Sequence, residues 1–171
     1  MDTPSIFDKC SFFILDKALF GCFPTQDDVN ILESTGVRVF VNLTSPTEKK
    51  INTYKTNYTY MSYPIADKNI PSDICNFYSF VKLVYEAIKN LRKDEKIYVH
   101  CKGGHGRSGV VVACLLILYY NISADEAINH THSCHQRRKT MRDIWRKIGS
   151  PQTQEQKTFV HSFEAVYKTI S

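Results

Sequence analysis

The sequence predicts an α/β chain: a single domain with a central, mostly parallel twisted sheet flanked by helices on both sides. Three observations carry this expectation. Short β-prone runs alternate with helical periodicities through the first hundred residues, and helical patterns fill the rest, the order expected of a sheet covered by helices. The run Ile97 to Val99 stops abruptly, as a buried strand does, and enters a loop, Cys101 to Arg107, that holds three glycines. From Ser108 the chain is apolar on all faces, as a buried helix must be.

Taken in order, residues 1–10 carry little pattern and read as an N-terminal extension to a domain spanning residues 11–171. Ser11 to Phe23 forms two short strands turning near Asp16 and Lys17. Thr25 or Asp27 caps a helix with apolar positions Val29, Ile31 and Leu32, and Gly36 ends it. Val37 to Leu43 is a strand. Thr44 to Asn57 is polar and loop-like, Tyr58 to Tyr63 alternates toward another strand, and Pro64 to Pro71 is a loop bracketed by prolines. Ser72 caps a long helix in which Ile74, Phe77, Phe80, Val81, Val84, Ile88 and Leu91 recur at helical spacing. Ser123 to Glu126 matches a capping box that opens a further helix. Arg137 to Lys147 is basic and amphipathic, and Thr153 to Thr169 closes the chain with Phe159, Val160, Phe163 and Val166 inward.

Composition narrows the function classes. A hydrophobic content of 43% and a charged content of 23% suit one soluble domain of 171 residues. The longest apolar run, Val110 to Tyr120, is shorter than the ~18–20 residues a bilayer span needs, so no membrane insertion is expected. Met1 to Pro4 lacks the basic and apolar regions of a signal peptide. Six cysteines without framework spacing fit a reducing compartment, the cytoplasm or the nucleus. The net charge of +5 favours anionic partners.

The chemistry concentrates in the strand–loop–helix unit. A glycine-rich turn feeding a helix N-terminus makes an anion site, because free N–H groups and the helix dipole converge there. A cysteine opens this loop, and an arginine closes it after five intervening residues. N–H donors, a helix N-terminus and a nearby cation can bring a cysteine pKa down to ~3.5–7.5, which makes thiolate available without a separate base. The planar fork of Arg107 suits two oxygens of a phosphoryl group. A cation at a helix start also faces the positive end of the dipole, so an anion is expected opposite it.

His100-Cys101-x5-Arg107-Ser108-Gly109 resembles the signature of the cysteine-dependent phosphatases, the tyrosine and dual-specificity group, and in particular its small atypical dual-specificity members. The resemblance covers about residues 11–168 and implies the fold already predicted. It implies that Cys101 attacks phosphorus, that amides of Lys102, Gly103, Gly104, His105 and Gly106 bind the phosphoryl oxygens with Arg107, and that His100 shapes the loop. Ser108 would stabilise the departing thiolate. Asp67, on a loop about 34 residues before Cys101, takes the place of the family's general acid, with Asp73 and Asp94 as alternatives. Gln152 and Gln156 resemble the Gln-Thr-x-x-Gln of tyrosine-specific enzymes, in which glutamine positions the hydrolytic water. Thr153-x-x-Gln156 is also a capping box.

The expected activity is hydrolysis of phosphotyrosine, with or without phosphoserine and phosphothreonine, in a phosphoprotein substrate. No cofactor is called for. Phosphoinositide phosphatases of the superfamily often carry a second lysine where this chain has His105, and RNA 5′-triphosphatase loops differ at Lys102, Gly103 and Gly106. Both remain alternatives, as does a phosphate-binding pseudophosphatase that does not turn over. The motif lies downstream of Asp67, unlike that of low-molecular-weight tyrosine phosphatases, and no Gly-Lys-Ser/Thr marks a Walker loop. His130, His132, Cys134 and His135 lack the paired partner motif of a zinc site, so no metal is predicted. The basic run from Arg137 reads as a solvated helix face.

Overall fold

The computed structural model describes residues 4–170. Five strands form one sheet: β1 (Cys10–Ile14), β2 (Ala18–Gly21), β3 (Val37–Asn42), β4 (Thr59–Ser62) and β5 (Lys96–His100). Their order is β1-β2-β5-β3-β4. Only the β1–β2 hairpin is antiparallel. β5 lies between β2 and β3, parallel to both, and β4 extends the sheet parallel to β3. The mostly parallel, helix-flanked sheet is therefore as expected.

The described residues form six helices: α1 (Gln26–Ser34), α2 (Ile74–Lys89), α3 (Arg107–Tyr120), α4 (Ala124–Gln136), α5 (Asp143–Ile148) and α6 (Gln154–Ile170). On one face Val29 and Leu32 of α1 pack on Leu19, Val37, Phe40 and Tyr98. On the other, α2, α3, α4 and α6 bury a larger core that includes Phe77, Val84, Val111, Leu115, Val160 and Phe163. Every residue of α3 from Arg107 to Leu118 is buried, which explains its lack of a polar stripe. Each buried Leu or Val side chain contributes roughly 1.5–3 kcal/mol, so α3 is fixed by packing along its whole length.

Caps refine the element boundaries. Thr25 caps α1, with Asp28 completing a reciprocal box. Ser72 does not cap α2. Asp73 does, its carboxylate accepting from the amides of Cys75 and Asn76, both at 3.0 Å, and a carboxylate outcompetes a hydroxyl there because it also meets the positive end of the dipole. Ser123 accepts from the Glu126 amide at the start of α4.

Arg137 to Lys147 is not one basic helix. α4 ends at Gln136, a turn follows, and α5 begins at Asp143. Arg138 in that turn is 3% exposed, so the solvated face expected there fails at this residue. Of the N-terminal extension, residues 1–3 lie outside the described residues. Ile6–Asp8 is a single 3-10 turn, Ile6 is buried in the α1-side core, and Cys10 already belongs to β1.

Candidate active site

β5 ends at His100, and its position in mid-sheet places Cys101 at the carboxyl end of the parallel strands, where α/β sheets open their clefts. The loop that follows is tied down through its carbonyls. Leu43 N donates to His100 O and Phe23 N to Lys102 O, both at 3.0 Å. The Ser150 hydroxyl donates to His105 O, and Val110 N to Gly106 O. With these acceptors occupied by the frame, the loop's amides are the groups left for an anion. Gly104 takes φ +81 and lies against the carbonyl of Gly21. A side chain fits neither that backbone angle nor that contact.

Cys101 is 3% exposed. Its Sγ accepts from Gly104 N at 3.2 Å and lies 3.5 Å from Ser108 Oγ in the first turn of α3. Arg107, 2% exposed, begins α3. Its Nη1 donates to Glu48 Oε2 and to Ile65 O at 2.8 Å, and its Nη2 to Glu48 Oε1 at 2.7 Å. The Asp67 carboxylate stands 3.2 Å from Nη2. The anion expected opposite a helix-start guanidinium is thus a pair of carboxylates. Burial is the largest single influence on Arg107 and lowers its pKa, but the hydrogen bonds to Glu48 together with the nearby charges of Cys101, Glu48 and Asp67 outweigh it and raise it. The same bonds hold the Glu48 carboxyl below its usual range against the opposing effect of burial.

A cleft of about 310 Å³ opens over this centre, lined by Asp67, Lys68, Cys101, Lys102, Gly103, His105, Gly106, Arg107, Trp145 and Gln152. Gly104, Ser108 and His100 support it from behind. Asp67 is 56% exposed on its side chain, at the mouth. The alternatives lie elsewhere. The Asp73 carboxylate is occupied as the α2 cap, and Asp94 precedes β5, a strand length of roughly 16 Å from the cysteine end at 3.3 Å per residue.

His100 is buried and neutral. Burial lowers its pKa to about 3, although the bond to Cys101 O acts the other way. That carbonyl can only accept, so Nδ1, 3.3 Å away, carries the hydrogen. Nε2 then accepts from the Tyr54 hydroxyl at 2.7 Å. His105 Nδ1 meets His135 Nε2 at 2.8 Å, and the His105 ring stacks on Trp145 with centroids 5.2 Å apart. Burial, followed by the charge of Arg138, lowers His105 to about 4 and His135 to about 2. His105 therefore brings the rim a hydrogen-bonding ring rather than a charge at neutral pH.

The two glutamines divide their tasks. Gln156 is fully buried. Its Oε1 accepts from Gln152 N at 3.0 Å and Thr153 N at 3.1 Å, while its own amide donates to Thr153 Oγ1. It caps α6, and its Nε2 donates to Asn69 O on the loop of Asp67 at 3.4 Å. Both side chains approach Gly106, where a β-carbon would meet Gln156 Nε2 at 2.8 Å and Gln152 Oε1 at 2.9 Å, but of the two it is Gln152 that lines the cleft.

Glu48, Tyr54, Lys68 and Trp145 were not legible as site residues. Glu48 and Tyr54 lie in a polar stretch without periodicity. Their only signal is topological, because the loop after a strand beside β5 reaches the same end of the sheet. Among the described residues no group of three His, Cys, Asp or Glu side chains is placed to hold a metal. His130 instead meets Phe13 O.

A buried strand–loop–helix anion cradle with a cysteine at its base and an arginine clamp at its rim defines the cysteine-phosphatase class. The family profile described as "Swiss Army Knife protein, DSP-PTPase phosphatase domain" matches residues 14–160, and the chain belongs to this family of phosphatases. It is 40% identical over 147 residues to "Putative tyrosine phosphatase 197R" of Invertebrate iridescent virus 6, covering 85% of this chain and 50% of that protein. It is 36% identical over 157 residues to the protein 067L of Invertebrate iridescent virus 3, described in the same words, covering 91% and 65%. The chain thus spans half to about two thirds of the length of these viral relatives. The human protein named Cyclin-dependent kinase inhibitor 3 is 32% identical over 170 residues, covering 91% and 73%. Among solved structures, Tk-PTP in its active form superposes with a TM-score of 0.72 at 20% identity, covering 92% of this chain and 97% of that one. The kinase associated phosphatase, carrying serine for its catalytic-site cysteine, does so at 0.69 and 22%, covering 94% of each. Both share the fold.

Proposed function

We propose that this chain hydrolyses phosphotyrosine in phosphoproteins, with phosphoserine and phosphothreonine as further substrates, through a phosphocysteine intermediate. One observation carries the proposal: the sulfur of Cys101, a buried and carboxylate-locked Arg107, and the exposed carboxyl of Asp67 converge on one cleft. The Cys101 thiolate attacks phosphorus, so that an S–P bond forms as the P–O bond to the leaving group breaks. Protonated Asp67 gives its proton to the leaving oxygen. The loop amides and Arg107 hold the three equatorial oxygens, charge stabilisation in place before reaction. Asp67, now a carboxylate, takes a proton from a water held by Gln152, and that oxygen displaces the thiolate. Ser108, beside the sulfur, donates to it as it leaves. Inorganic phosphate is released, and thiolate and protonated Asp67 are restored.

Residues 11–171 form the catalytic domain in this reading, and a free phosphoprotein is the partner. All six cysteines are free thiols, and among the described residues no helix is long and apolar enough to cross a membrane. The thiols favour the cytoplasm or the nucleus.

A neutral His105 bound to His135 makes the rim less cationic than a phosphoinositide headgroup favours, so a phosphopeptide is the preferred substrate. The test is a panel at matched concentration: phosphotyrosine, phosphoserine and phosphothreonine peptides, a phosphoinositide, and 5′-triphosphate RNA. The phosphotyrosine peptide should give the highest kcat/KM, and Cys101→Ser should abolish turnover of every substrate. A preference for lipid or RNA overturns the substrate assignment. Turnover by Cys101→Ser, or none by the wild type on an aryl phosphate, overturns the hydrolase.

A further inference from the structure

The mechanism leaves one buried charge unused. Arg138, in the turn between α4 and α5, is buried, and its guanidinium lies 4.6 Å over the Phe20 ring while Nη2 donates to Phe20 O at 3.2 Å. Its Nε is buried without a partner, and among the described residues no carboxylate pairs with it. An unpaired guanidinium in the interior is costly, and buried cations are ordinarily matched by an anion.

The groups facing it can be counted by element. Cys10 comes from β1, Cys22 from the end of β2, Tyr98 from β5, and Cys101 from the loop. His105 and His135 face it as neutral rings. Burial pushes Cys10 up to about 12 and raises Cys22 and Tyr98 as well, so these three stay protonated. Asp28 of α1 acts on Cys10, Cys22 and Tyr98 but is bound to the Thr25 amide, and Asp8, which acts on Cys10, is bound to the Ser5 amide. Cys101 remains.

The strand register supports the same conclusion. Phe20 pairs with Val99, and Gly21 with His100, immediately before Cys101. Gly104, whose amide donates to the sulfur, packs on Gly21. Arg138 also shares a cavity wall with Gly103 and His105 of the loop.

We propose that Arg138 is a positioning residue whose counter-charge is the Cys101 sulfur, and then the phosphoryl group that sulfur carries. Arg107 grips the anion from the helix side, and Arg138 supplies a second fixed charge from beneath the loop, through low-dielectric protein where Coulomb attraction is strong. The remaining charged groups around Cys101 are Lys102 on the loop, Asp67 and Lys68 after β4, and Glu48 after β3, the last neutralised by Arg107. The proposal rests on the hydrolase reading for why an anion is needed there.

The test is the pH dependence of Cys101 alkylation by iodoacetamide, followed by mass spectrometry in wild type, Arg138→Met and Arg138→Lys. Cys101→Ser serves as the blank for the other thiols. Removing an opposite charge moves a titration by about one pH unit, so the midpoint in Arg138→Met should rise by about that much. Arg138→Lys should keep the wild-type midpoint. A merely structural role would lower the melting temperature and leave the midpoint in place, and an unmoved midpoint in folded Arg138→Met overturns the proposal. If that variant does not fold, Arg138→Lys decides, since a rise of a full pH unit with the charge retained also overturns it. An unmoved midpoint in an enzyme that still hydrolyses aryl phosphate spares the hydrolase. A raised midpoint in a protein without turnover supports Arg138 and sinks the hydrolase.

Discussion

Glu48 holds the guanidinium of Arg107 in a two-point contact, at 2.7 and 2.8 Å, across 59 residues of chain. A planar fork held at two points loses its rotational freedom, and its two ends, which the sequence offers to phosphoryl oxygens, are here taken up by Glu48.

Replacing Glu48 should therefore loosen the clamp without touching substrate. Glu48→Gln is expected to lower kcat/KM on an aryl phosphate by about 10–100-fold, and to destabilise the fold by about 1–3 kcal/mol because Arg107 keeps its burial and loses its charged partner. Steady-state kinetics beside a urea melt measures both. Unchanged kinetics would show that Ile65 O and Asp67 suffice to hold the guanidinium.

Asp67→Asn should cost about 10²–10⁴ in kcat on phosphotyrosine peptides, the usual contribution of a positioned acid. The loss should shrink for p-nitrophenyl phosphate, whose leaving group needs less protonation. A pH–rate profile on both substrates checks this, and equal losses on the two would remove Asp67 from the role of acid.

The buried histidines set an acid limit on stability. The folded pKa values, about 3 for His100, about 4 for His105 and about 2 for His135, all lie below the ordinary 6.5. The unfolded chain therefore binds these protons first. Their contribution is whole above about pH 6.5 and drains away as pH falls toward those values, at up to roughly 1.4 kcal/mol per pH unit for each group. Glu48 adds to the loss below about 4.5, since its carboxyl is held low by Arg107. Melting temperatures from pH 8 to 4 should be flat at first and then fall below about 6.5. His135→Asn should flatten part of that fall.

The two glutamines should separate in their effects. Gln152→Ala is expected to slow the second step, so that a burst of phenol precedes steady turnover and phosphocysteine can be trapped by rapid acid quench. Gln156→Ala should instead destabilise the fold by about 1–3 kcal/mol, because the amides of Gln152 and Thr153 lose their acceptor. A burst in the Gln156 variant and none in the Gln152 variant would reverse the assignment.

The strand–loop–helix unit was legible because each of its signals is local. Cys101, three glycines and Arg107 fall within seven consecutive residues, and an unbroken apolar run admits little but a buried helix. Asp67 was named only through resemblance; the structure places its carboxylate beside Arg107, with Asp73 at the α2 cap and Asp94 before β5. Thr153-x-x-Gln156 carried two meanings at once, a cap and a water site. Packing chose the cap for Gln156 and left Gln152 to the cleft.

By itself the sequence determined the mostly parallel character of the sheet, the glycine-rich loop, and the buried helix behind it, since backbone angles, hydrophobic period and helix capping act over a few residues. The tertiary structure alone decided that Glu48 locks Arg107, that Tyr54 fixes His100, and that Arg138 lies in the interior instead of on a solvated helix. Those contacts join residues brought together by parallel strand crossovers, and a charge in a polar stretch shows no local sign of whether it will meet water or a partner.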